Sequence, residues 1–133
     1  MRRVALIYNP MAGQRPGRRT ALVASVAAVL REAGVEVKAI ATESPESAGT
    51  QAHEAMLAGN DTILACGGDG TVHEALQRLV GGPAALGVIP MGTANALAAD
   101  LGLPASPVKA AKMTERRKPI PWRRCASRSS SAT

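Results

Sequence analysis

Short apolar runs alternate along this chain with longer segments in which apolar residues recur every three or four positions. Val4–Tyr8, Thr62–Cys66 and Ala85–Ile89 are compact apolar runs of strand length. Val35–Ala41 alternates apolar and polar and forms a further strand. Between Thr20 and Ala33 the residues Leu22, Val23, Val26, Val29, Leu30 and Ala33 share one helical face, and Gly34 follows as a stop. A second helix begins at Ser44-Pro45-Glu46, with Ser44 as N-cap and Pro45 in the first turn, and runs to about Leu57 before Gly59. Further helices are expected from about Val72 to Leu79, broken by Gly81-Gly82-Pro83, over about Ala94–Leu101, and from Val108 to about Met113. Strands that alternate with helices in this way imply right-handed crossovers and a parallel sheet covered on both faces. The fold class is α/β, a three-layer α/β/α Rossmann-like domain.

Composition refines this picture. Hydrophobic residues make up 46% of the 133, yet Phe is absent and the aromatics are one Tyr and one Trp. The core must then be built from Ala, Val, Leu and Ile, which suits thin parallel strands under Ala-rich helices. The length bounds the chain to one domain. No apolar run approaches the roughly 20 residues of a membrane span, so no transmembrane segment is expected. Met1-Arg2-Arg3 and the five apolar residues after it are too short for a signal peptide and read as the first strand. Cys66 and Cys125 do not suggest a disulfide framework, which fits a reducing, cytoplasmic setting.

The net charge of +6 is unevenly placed. Residues 115–133 hold Arg116, Arg117, Lys118, Arg123, Arg124 and Arg128 against Glu115 alone, so this stretch carries five of the six positive charges. With no stacking platform and no nucleic-acid motif, the basic pI does not mark a nucleic-acid binder. The same stretch is rich in Ser and Pro and lacks apolar periodicity. It reads as a disordered basic tail, 114–133, behind a domain spanning 1–113. Arg15, Arg18 and Arg19 form a smaller cluster after Gly13. They read as an exposed basic loop, with contact to phosphates or anionic headgroups as the alternative.

Two turns carry candidate chemistry. Ala65-Cys66-Gly67-Gly68-Asp69-Gly70-Thr71-Val72-His73-Glu74 passes from a strand through three glycines into a helix. Such a unit aims backbone N–H groups and a helix N-terminus at one spot and favours an anion such as phosphate. The bland alternative is a tight turn whose glycines serve geometry alone. Leu86–Pro104 repeats the logic: a strand ends at Pro90, Gly92 loosens the backbone, and Thr93 and Asn95 stand where a helix leaves donors unpaired. Thr93 alone could be a plain N-cap. Two such turns at the carboxyl ends of two strands would face one crevice. His53 and His73 sit on helices and read as structural, and Glu74 complements the dipole of its helix.

Gly67-Gly68-Asp69-Gly70-Thr71, Pro90-Met91-Gly92-Thr93-Ala94-Asn95 and the opening Asn9-Pro10-Met11-Ala12-Gly13 together resemble the catalytic domain of diacylglycerol kinases, sphingosine kinases and related bacterial lipid kinases. The resemblance runs from about Val4 to about Met113, with the motifs in family order. It implies a fold of the NAD kinase and diacylglycerol kinase type. The activity implied is transfer of the γ-phosphate of ATP, with Mg²⁺, to a lipid hydroxyl. The nucleotide-binding residues implied are Asn9, Thr42, Gly67, Gly68, Asp69, Gly70, Thr71, Val72, His73, Gly92, Thr93 and Asn95, although the Thr42 hydroxyl could equally do no more than satisfy a strand end. Asp69 either reaches a phosphate-bound Mg²⁺ or fixes the turn by bonding neighbouring N–H groups. One departure is Ala96, where many diacylglycerol kinases carry Asp, and it leaves diacylglycerol and sphingoid bases both open as acceptors.

The family continues into a second, β-rich domain that carries the general base, and this is expected to be absent here. The chain either is shortened or leaves the family reading frame near residue 114, the abrupt Arg/Ser-rich composition favouring the second. No catalytic residue is therefore assigned, and the isolated chain is expected to be inactive. The partners implied are ATP and a lipid substrate at the membrane surface, with a homodimer left open. The expected location is the cytoplasm, at most peripheral to the inner face of the membrane. The competing readings are an NAD kinase, which shares the Gly-Gly-Asp-Gly turn but not the Pro90–Asn95 segment, and a nucleotide-binding fragment without turnover.

Overall fold

A computed structural model describes residues 1–11, 17–44, 46–91, 102 and 106–116. Among them the order is β1 (Arg3–Tyr8), α1 (Arg18–Glu32), β2 (Glu36–Ala41), α2 (Ser47–Leu57), β3 (Thr62–Gly67), α3 (Asp69–Leu79), β4 (Ala85–Pro90) and α4 (Pro107–Arg116). The helix expected over 94–101 and the tail over 117–133 lie outside the described residues. Helix α4 itself continues to Arg116, three residues past its expected end.

The strands form one parallel sheet in the order β2-β1-β3-β4. Successive side chains point to opposite faces, and both faces are filled. Ala5, Ile7, Ile63, Ala65 and Val88 pack with Ala48, Ala52 and Ala55 of α2 and with Val72, Ala75 and Leu79 of α3. On the other face Val4, Leu6, Leu64, Cys66 and Ile89 pack with Val23, Val26, Ala27 and Leu30 of α1 and with Ala110 and Ala111 of α4. This is the expected three-layer α/β/α arrangement, and its helices are lined by alanine.

Small residues let those helices come close. A Cβ on Gly49 of α2 would lie 2.7 Å from the carbonyl oxygen of Glu74 in α3, so the α2–α3 spacing depends on that glycine. Helix α1 ends as expected at Gly34, whose φ of 85° places it in the left-handed region. Its N–H donates to the Arg31 carbonyl at 3.0 Å and the Val35 N–H to Leu30 at 3.1 Å, a pair of bonds that satisfies the last turn.

The start of α2 differs from expectation. Its N-cap is Glu46, not Ser44, and no side chain caps it. Ser47 folds back instead: its hydroxyl donates to the Ser44 carbonyl and accepts from the N–H groups of Ser44 and Glu43, each at 3.0 Å. A hydroxyl at residue 47 thus takes over the turn that residue 44 was expected to make.

At the amino edge of the sheet, Asp61 ties strands together. Its Oδ2 accepts the N–H groups of Arg2 and Arg3 at 2.9 and 3.0 Å, and its Oδ1 accepts the Thr62 hydroxyl at 2.7 Å. Its own carbonyl accepts the Ala85 N–H of β4 at 2.9 Å. Partial burial pulls this carboxyl up, but the bonds from Arg3, Thr62 and Arg2 outweigh it and hold the group below its ordinary value.

Candidate nucleotide site

The site follows from topology. Chain order and strand order part company at β1 and β3: β2 lies on one side of β1, and the chain then crosses to place β3 on the other. A crevice opens beyond the carboxyl ends of strands at such a switch point. The register brings those ends level, with Tyr8 opposite both Ala41 and Cys66, and Gly67 opposite Pro90. The segments that begin at Asn9, Thr42, Gly68 and Met91 therefore leave the sheet along one edge.

Each segment is held locally. Asn9 is half-buried and accepts the Met11 N–H on its Oδ1 at 2.9 Å, which fixes the loop after β1 and leaves the amide Nδ2 without a partner among the described residues. The Thr42 N–H donates to the Tyr8 carbonyl at 2.8 Å and extends the β1–β2 ladder by one step, so its half-buried side chain stands at the edge itself. The Met91 N–H donates to the Gly67 carbonyl at 3.4 Å, joining the starts of the two glycine turns.

The turn after β3 is tighter than expected. Helix α3 starts at Asp69 rather than near Val72, so Gly70 and Thr71 already belong to its first turn. Gly68 is the N-cap with no side-chain cap bond, and its carbonyl accepts the Val72 N–H at 3.3 Å as the first helical bond. The amides of Asp69, Gly70 and Thr71 precede that bond and face out of the helix end. None of these glycines has a left-handed backbone: Gly68 has φ −93° and ψ −170°, and no positive φ occurs at Gly67 or Gly70. The requirement at Gly67 is closeness instead. A Cβ there would lie 3.1 Å from Nη1 of Arg19 and 3.2 Å from Oγ1 of Thr71.

Arg19 corrects the expectation of an exposed basic loop. It lies in the first turn of α1 with only 9% of its surface exposed, while Arg18 beside it is exposed. Its Nη2 donates to the Met91 carbonyl at 3.2 Å. Burial lowers the pKa of its guanidinium, and the nearby Cys66 opposes that shift. Cys66 is fully buried, and burial pushes its thiol up to about 12 despite the opposing pull of Arg19, so it stays a neutral core group.

Of the other expected residues, Val72 is buried in the core under α3 and can serve the site only through its backbone. His73 is exposed one turn into the helix, with its Nε2 2.9 Å from Nε2 of Gln77. His53 approaches the Arg78 carbonyl with Nδ1 at 3.3 Å, between α2 and α3. Gly92, Thr93 and Asn95 lie outside the described residues, and for Asp69 the backbone alone is described. Among the described residues no group of three His, Cys, Asp or Glu side chains could hold a metal ion.

The family model of the diacylglycerol kinase catalytic domain matches residues 3–124. The chain belongs to that family. Among curated relatives, a diacylglycerol kinase of Staphylococcus saprophyticus is 38% identical over 105 residues, covering 77% of this chain and 34% of that protein. A diacylglycerol kinase of Bacillus subtilis is 39% identical over 106 residues, covering 78% and 34%. A crystal structure of a diacylglycerol kinase from Bacillus anthracis superposes with a TM-score of 0.75 at 31% identity, covering 89% of this chain and 44% of that one. The chain thus spans about a third of the length of the curated relatives it matches.

Proposed function

We propose that this chain is the ATP-binding part of a lipid kinase, which holds the nucleotide at the carboxyl edge of the sheet and offers its γ-phosphate to a lipid hydroxyl of diacylglycerol or a sphingoid base. The observation that carries this reading is the Gly67–Gly68 turn, where a guanidinium and a hydroxyl close on an α-carbon that has no side chain. A cradle that a Cβ would fill, under a helix end with outward N–H groups, fits a phosphate.

In phosphoryl transfer a protein mostly positions the phosphates and stabilises their charge. Gly68 and the first-turn amides of α3 would grip phosphate oxygens. Thr71, with its half-buried hydroxyl beside Gly67, would add a donor. Asn9 and Thr42 would bound the nucleotide on the β1–β2 side, with Gly92, Thr93 and Asn95 as the remaining contacts. Mg²⁺ bound with the nucleotide would neutralise charge on the phosphate oxygens, and Asp69 is the acid that the motif offers for that role. Among the described residues none is placed as general base, so these 133 residues alone are expected to bind ATP–Mg²⁺ and to transfer phosphate at background rate. No described helix is long and apolar enough to cross a membrane. The lipid would then be met at the membrane surface, from the cytoplasmic side.

Gly68→Val tests this reading. A β-branched side chain at the N-cap would stand over the first-turn amides, so ATP binding in calorimetry should vanish while the circular dichroism spectrum is kept. Unchanged ATP affinity in a folded Gly68→Val protein, or kinase activity of the wild-type chain alone on either lipid, would contradict it.

A further inference from the structure

Among the described residues, the buried guanidinium at the crevice has no acid paired with it. Among the described side chains the one ion pair is Arg3 with Glu36, at the opposite edge of the sheet. Arg19 instead lies near the buried Cys66 and donates to the Met91 carbonyl. A guanidinium carries five N–H donors, and a neutral carbonyl satisfies one of them. Taking such a group out of water is costly unless an anion joins it. Its place is specific: Nη2 holds the residue before Gly92, and Nη1 lies against the residue before Gly68.

We propose, building on the nucleotide reading above, that Arg19 contacts the phosphate chain of the nucleotide, its planar fork bridging the two glycine turns and supplying the charge that offsets the phosphates. The N–H groups not engaged by Met91 are the donors for this contact. Lysine at the position would keep the charge but lose the fork, since one compact ammonium cannot hold a carbonyl and an oxyanion in the same plane.

The test is a charge series, with AMP, ADP, ATP and inorganic pyrophosphate titrated in calorimetry against wild type, Arg19→Gln and Arg19→Lys. Arg19→Gln keeps a polar side chain, which ends two bonds short of the atom that holds Met91, and removes the charge. Its loss of affinity should grow from AMP to ATP, reaching about 10- to 100-fold for ATP and for pyrophosphate. Arg19→Lys should recover part of that loss. An equal loss for all four ligands would mean that Arg19 only props the turns, and unchanged affinity in the folded variants would mean that it points elsewhere; either overturns the proposal. Failure of the wild-type chain to bind ATP or pyrophosphate would instead refute the nucleotide reading, and this proposal with it. Melting temperatures of all three proteins identify any variant whose loss is unfolding, and Arg19→Lys then carries the comparison.

Discussion

At the scale of single residues, two positions show how burial rather than charge count decides a role. Arg19 belongs to a run of basic residues that looks solvated, but it also stands four positions before Val23 and so at the head of the stripe Val23, Val26, Ala27, Leu30 that α1 buries. Helical spacing is the signal that marks it. A helix start at Thr20 hides that signal, whereas the helix begins at Arg18 after Gly17. Asp61 has no signal at all in the sequence. Its partners are backbone N–H groups 58 and 59 positions away, and a long-range bond to a main-chain donor leaves no residue pattern. Its carboxyl titrates below the ordinary value in the fold, so the stability it adds is present above about pH 5 and is lost as the pH falls through that lowered value. Asp61→Asn should cost about 1 kcal/mol near neutral pH, at the low end for bonds to a charged group because the site is exposed. The gap to wild type should close in acid. Denaturant melts of both proteins from neutral pH downward check this, and a gap constant with pH would contradict it.

At the scale of elements, the strands are legible almost to the residue, because short continuous apolar runs have one reading in a chain of alternating patterns. The helix starts are less so. Gly68 to Thr71 read as a turn, since glycine is costly inside a helix, but the chain enters α3 at once and places that cost at the site. The need for Gly49 in α2 is not legible either, because it depends on how near α3 comes. Replacing a helical glycine by alanine ordinarily gains about 0.5–1 kcal/mol. Here the new Cβ would stand 2.7 Å from the Glu74 carbonyl oxygen, and overpacking of that kind costs about 1–3 kcal/mol. The clash outweighs the gain, so Gly49→Ala should lower the melting temperature. A rise would show that α2 and α3 slide apart freely.

At the scale of the whole molecule, the fold makes the site by placing four strand ends on one line at the switch between β1 and β3, and every expected contact among the described residues except His73 and the buried side chain of Val72 falls there. The sequence points to this crevice because glycine turns follow strands in both motifs. What the pattern does not convey is the bridge between the turns, Met91 to Gly67 through the backbone and Met91 to Arg19 through a side chain. ATP is expected to occupy this edge and no other. The most direct measurement is an amide ¹H–¹⁵N spectrum of the chain titrated with ATP and Mg²⁺. The shifts should concentrate at Asn9, Thr42, Gly67 to Val72 and Met91, while Arg3, Asp61 and Thr62 at the opposite edge stay still. Shifts confined to that opposite edge, or spread evenly over the sheet, would contradict it.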